Sequence, residues 1–135
     1  MVNIDLRKLS APIEALHPAL GDAYKRLDSK WEEIAETLKS LAIPTEVSYT
    51  YSTDDYHPED SSCLVWKKWN GKKRICLEFH SFNPNNGNPY SDYEVRTTPY
   101  EEWSGPQRID MLEHVPGLFD AAVKATQEFI NKSQS

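Results

Sequence analysis

Apolar positions recur at steps of three and four through Leu20, Tyr24, Leu27, Trp31, Ile34, Leu38 and Leu41. That spacing lines one stripe of an α-helix. Lys25, Arg26, Glu32, Glu33, Glu36 and Lys39 fall on its other face. Pro18 is expected to open the helix, because His17 precedes a proline and is disfavoured from helical backbone. Pro44 stops it. Upstream, residues 1–17 are expected to hold a short helical turn capped by Ser10, with Pro12 in its first turn. The Leu20–Leu41 stripe suits a domain core packed on a sheet, and also a coiled-coil seam in a homodimer.

The period then changes from 3.6 to 2. Val47, Tyr49 and Tyr51 alternate with Glu46, Ser48 and Thr50, which predicts a half-buried strand over 45–52. Strands over 62–69 and 72–80 flank Asn70-Gly71, the dipeptide of a type I′ hairpin, in which both central residues need positive φ. Tyr93, Val95 and Thr97 alternate in a fourth strand, after a loop over 81–91 rich in Asn, Pro and Gly. Helical signals return with Thr98-Pro99-Tyr100-Glu101 and Ser104-Gly105-Pro106-Gln107, both shaped as capping boxes. A helix with Ile109, Met111, Leu112 and Val115 inward should reach about His114. A last one from Pro116 should turn Phe119, Ala122, Val123, Thr126, Phe129 and Ile130 inward, with 131–135 frayed. The expected fold is one α+β domain over 1–135: N-terminal helix, four-stranded antiparallel meander, and C-terminal helices, with the helices on one face of the sheet.

A two-residue turn fixes the hairpin register. Trp69 then faces Lys72, Lys67 faces Arg74, Trp66 faces Ile75, Val65 faces Cys76, Leu64 faces Leu77 and Cys63 faces Glu78. One face carries Leu64, Trp66, Ile75, Leu77 and Phe79 and belongs under the helices. The other carries Cys63, Val65, Lys67, Trp69, Arg74, Cys76, Glu78 and His80 and is expected to be open.

Charge sharpens this picture. The chain has 135 residues and a net charge of −6. Segment 65–74 alone holds Lys67, Lys68, Lys72, Lys73 and Arg74 with no acid, so the remainder is strongly acidic. An acidic chain is no general nucleic-acid or anionic-membrane binder. The start, Met1-Val-Asn-Ile-Asp-Leu-Arg-Lys, reads as no export signal, no apolar run spans a membrane, and cytoplasmic residence is expected. The sequon Asn131-Lys132-Ser133 is then a chance match. The 2 cysteines cannot frame a disulfide scaffold.

Few residues suggest chemistry. The basic hairpin with Trp69 could grip a small anion or an acidic protein, or its lysines could simply guard a sheet edge. Lys67, Trp69, Arg74, His80 and Glu78 are the candidate contacts. The runner-up is a small enzyme or ligand carrier with a pocket between the sheet and the C-terminal helices, lined by Tyr49, Tyr51, Tyr93 and Trp103. Asp54-Asp55-Tyr56-His57-Pro58-Glu59-Asp60 clusters carboxylates but lacks the glycine and spacing of a calcium loop, and reads as solvated. Cys63 and Cys76 lie diagonally on adjacent strands and are expected to be free thiols. His80 is four strand residues from Cys76, roughly 13 Å, too far to serve it as a base. Glu78 with Glu94 or Asp92 could pair across the third and fourth strands. No phosphate loop, dinucleotide fingerprint, HExxH, CxxC or nucleophile elbow is present. No catalytic residue, metal or cofactor is assigned, and an interaction protein is favoured over an enzyme.

The hairpin Leu64-Val-Trp-Lys-Lys-Trp-Asn-Gly-Lys-Lys-Arg-Ile and the block Arg108-Ile-Asp-Met-Leu-Glu-His-Val-Pro-Gly-Leu-Phe resemble small uncharacterised bacterial α+β proteins. The likeness covers about a third of the chain and implies no activity. In size, acidity and helix-flanked sheet, the chain is also similar to small acidic secretion chaperones and toxin-immunity proteins, although its four unbroken strands depart from the chaperone order.

Overall fold

The structure, a computed structural model, describes residues 2–56, 60–82 and 93–134, apart from the side chains of Phe82 and Tyr93. Helices α1 (Leu6–Glu14) and α2 (His17–Ser40) precede strands β1 (Val47–Thr53), β2 (Ser61–Trp69), β3 (Lys72–Phe82) and β4 (Tyr93–Pro99). A 3₁₀ turn at Tyr100–Glu102 leads to α3 (Gly105–Asp110), a second at Met111–His114, and α4 (Val115–Ser133). The sheet is an antiparallel meander in the order β1-β2-β3-β4, and the fold is α+β.

Asn70 and Gly71 sit at φ 51° and 91°, the positive values a type I′ turn requires. The hairpin register follows from them: Lys67 opposes Arg74, Trp66 opposes Ile75, and Cys63 opposes Glu78. Leu64, Trp66 and Ile75 on one face, with Val47 from β1, are buried against Trp31, Ile34 and Leu38 of α2 and Leu118 and Ala122 of α4. Each such large apolar side chain contributes about 1.5–3 kcal/mol by leaving water. Two indoles organise the centre. Trp31 packs edge-on against Trp103 at 5.0 Å, and their Nε1 groups donate to the carbonyls of Arg108 (3.0 Å) and Thr98 (2.9 Å). On the sheet's second face Cys63, Val65 and Cys76 are also buried, apart from the main core cluster.

Several expectations need correction. Asp5, not Ser10, caps the first helix, its Oδ1 accepting from the Lys8 amide at 3.3 Å, so α1 is a full helix rather than a turn. Within the long stripe only Trp31, Ile34 and Leu38 are buried, because the core contacts only the C-terminal half of α2. Pro99 belongs to β4 and the turn after it has no side-chain cap, whereas Ser104 and Gln107 do form a capping box. Phe79 is exposed because it lies toward the far end of the hairpin, beyond the helices. Ile109, Val123, Phe129 and Ile130 are exposed as well. The face that α4 buries runs through Leu118 and Ala122. Helix α4 continues to Ser133, so 131–133 is helical.

Candidate anion-binding site

The five candidate contacts separate into two groups. On the second face of the sheet, Lys67 Nζ bonds Glu78 Oε2 and donates to Thr97 Oγ1 at 3.2 Å. Glu78 Oε1 lies 2.9 Å from His80 Nε2, and the Lys67 ammonium sits 5.1 Å from the centre of the Trp69 ring. Alternation along the strands puts Lys67, Glu78, His80 and Thr97 on one face, with Glu78 directly opposite Thr97 on β4, and the long Lys67 side chain reaches the pair. The result is a closed network in which the carboxylate uses both oxygens. Glu94 opposes Ser81 and takes no part, and Asp92 lies outside the described residues.

Arg74 leaves that network. Its Nε donates to the Trp69 carbonyl at 3.1 Å and Nη1 to Glu101 at 2.8 Å. Strand β4 pairs with β3 only from Cys76 onward, so the start of β3 lacks a strand neighbour on that side. There the hairpin, α2 and the 3₁₀ turn enclose a cavity of about 230 Å³. Lys39, Lys72, Lys73 and Arg74 line it with Glu36 and Glu101, an excess of two positive charges. Lys73 Nζ donates to the Ile43 carbonyl at 2.9 Å, while Lys39 and Lys72 have no partner among the described residues. Tyr100, on the same wall, has its hydroxyl pKa raised by burial, reinforced by Glu101 and Glu32. It is therefore a neutral group able to donate at physiological pH.

Trp66 also lines the cavity and is 2% exposed, yet its Nε1 has no hydrogen-bond partner. A buried donor left unmatched costs about 1–3 kcal/mol. The hairpin sequence pointed to Arg74. Trp66 was assigned to the core, which it joins, and Lys39, Tyr100 and Glu101 carried no local signal because three separate elements bring them together.

The runner-up aromatics are not gathered around one space. Tyr51 stacks on His114 at 4.5 Å and Tyr49 is tilted against it at 6.2 Å, whereas Trp103 packs in the core on Trp31. The Tyr93 side chain lies outside those described. So do His57, Pro58 and Glu59 of the acidic loop. Among the described residues no group of three or more His, Cys, Asp or Glu side chains could hold a metal ion. Both cysteines are free and buried, and burial pushes the Cys76 thiol up to about 11, far from nucleophilic. No helix among the described residues is long and apolar enough to cross a membrane. No family model matches the chain, and neither the curated proteins nor the solved structures contain a significant match to its sequence or fold.

Proposed function

We propose that the chain is a non-enzymatic binding protein of the cytoplasm that holds a small anion, through carboxylate or phosphate oxygens, in the cavity between the basic hairpin and α2. The observation that carries this reading is a cavity with an excess of two positive charges, lined by Lys39, Lys72 and Arg74 and by Trp66, whose buried indole N–H is unmatched. Lys39 and Lys72 supply long-range attraction, Arg74, whose Nε and Nη1 are engaged, its Nη2 donors, and the Trp66 indole a directional donor. Two buried free thiols fit a reducing compartment.

A second reading, an acidic protein partner, is favoured by the hairpin end. Trp69 stands there under the Lys67 ammonium with Lys68 and Lys72 exposed, the aromatic and cationic make-up of an interface anchor. Calorimetric titration with citrate and with inorganic phosphate separates the two. The pocket reading expects saturable binding, weakened by added salt and at least about tenfold by Lys39→Gln with Lys72→Gln, about 1.4 kcal/mol. No binding of either anion, or binding indifferent to that double substitution, would overturn it.

A further inference from the structure

The N-terminal arm takes no part in the core. No residue of α1 is buried, and Leu6, Leu9, Ile13 and Leu16 are 71%, 64%, 63% and 62% exposed. Leu20 and Tyr24 continue the stripe at 49% and 44%. A helix as short as α1 is marginal alone in water. A contiguous apolar stripe of this length marks an interaction surface.

Its spacing says what kind of surface it is. Leu6, Leu9, Ile13, Leu16, Leu20, Ala23 and Leu27 follow steps of three and four in strict alternation, the heptad seam of helix-on-helix packing. Ala15 and Leu16, between the helices, keep right-handed helical backbone (φ −64°, ψ −21° and φ −89°, ψ −8°), so the seam passes the junction. Beyond Leu27 it enters the core through Trp31, Ile34 and Leu38. The seam from Trp31 onward is thus covered by the chain's own fold, Leu20, Ala23 and Leu27 border α3 at Pro106 and Ile109, and Leu6, Leu9, Ile13 and Leu16 are covered by nothing among the described residues.

We propose that a second copy of this chain covers the exposed half, arm against arm in an antiparallel pair. Antiparallel packing sets alternate seam positions opposite one another. Leu6 then meets the partner's Ala23, Leu9 the partner's Leu20, and Ile13 the partner's Leu16, and the two-fold axis repeats each layer. The same register sets Asp5 beside the partner's Arg26, while the flanking positions Ser10, Pro12 and Ala19 carry no charge to repel. A parallel pair gains no such ion pair. The arm is also nearly neutral, with Asp5, Glu14 and Asp22 against Arg7, Lys8, Lys25 and Arg26, unlike the strongly basic helices that lie on anionic membranes. Six side chains from each copy make an interface on the order of 1,200 Å², the lower end for stable association. The arm lies at the opposite end of α2 from the anion cavity, so this inference stands apart from the proposed function.

Sedimentation equilibrium of the full chain tests it, with the expectation of a dimer at micromolar concentration. Leu9→Asp with Leu16→Asp should raise the dimer dissociation constant at least tenfold and leave the melting temperature of the monomer unchanged, since both side chains are exposed within one chain. Arg26→Glu, which leaves the Asp5 cap intact, should weaken the dimer by facing the partner's Asp5, whereas Lys25→Glu, off the flank of the seam, should weaken it less. When Leu9→Cys and Leu20→Cys chains are mixed under oxidation, the mixed disulfide should dominate. A monomer at every concentration, a dimer indifferent to the aspartates, self-linking of Leu9→Cys in preference, or binding to phosphatidylserine vesicles instead of to itself would overturn the proposal.

Discussion

Lys67 reaches along the second sheet face to Glu78, which opposes Cys63 rather than Lys67 itself, in an ion pair whose side chains are only 13% and 11% exposed, and the second Glu78 oxygen holds His80. The sheet face expected to be open is therefore largely engaged with itself. Removing one partner strands the other charge in a poorly hydrated place. Glu78→Gln should cost about 1–3 kcal/mol in urea unfolding, reduced from the fully buried case because some solvent reaches the pair. Replacing both, Lys67→Met with Glu78→Leu, should cost less than the single change. A single substitution without effect would mean the network contributes nothing.

At Gly117, α4 packs directly against the ring of Tyr49 on β1. A Cβ there would lie 2.4 Å from the Tyr49 ring. Gly117→Ala should destabilise by about 1–3 kcal/mol, because a packed interface cannot absorb the added methyl group. Combining it with Tyr49→Leu should recover part of the loss. Thermal unfolding of the two variants and the pair checks this, and purely additive losses would contradict it.

Ala42, just after α2, has φ 51°, a left-handed conformation that glycine adopts without steric cost. Ala42→Gly should stabilise the protein by about 0.5–1 kcal/mol, the strain relieved exceeding the entropy glycine adds to the unfolded chain. Equal or lower stability in denaturant titration would count against strain at this residue.

Cys76 ties stability to alkaline pH. Its thiol is pushed up by burial from an ordinary value of 9.0 to about 11. Between those values the unfolded chain has released the proton and the folded chain retains it. The contribution is thus complete below pH 9 and lost as pH climbs toward 11. Burial shifts Tyr51 and Tyr100 in the same direction. Stability should fall across that window, and Cys76→Ala should flatten the slope. An unchanged slope would mean the thiol is not the group responsible.

How much was legible depended on whether a residue's role was local. The hairpin register and its two faces followed from Asn70-Gly71, since two positive-φ positions leave one alignment. Ser104 announced a cap through its partner Gln107 three residues on. Asp5 was a comparable signal that Ser10 obscured. On α4, Phe119 and Ala122 do pack on the core, but Val123, Phe129 and Ile130 competed with Leu118 for the inward stripe, and periodicity could not rank them. The cavity was illegible for a different reason: Lys39, Lys72 and Tyr100 are distant in sequence and meet only because α2 crosses the edge that β4 leaves uncovered.

On the proposed function, an anion completes the hydrogen bonding of Trp66. Amide spectra of ¹⁵N-labelled protein resolve the indole N–H groups of Trp31, Trp66, Trp69 and Trp103, and those of Trp31 and Trp103 already donate to carbonyls. Titration with citrate and with phosphate should shift the Trp66 signal saturably downfield, leave Trp31 and Trp103 nearly still, and lose the effect in Lys39→Gln with Lys72→Gln. A Trp66 signal unmoved by either anion, or moving no more than the other three, would contradict the account.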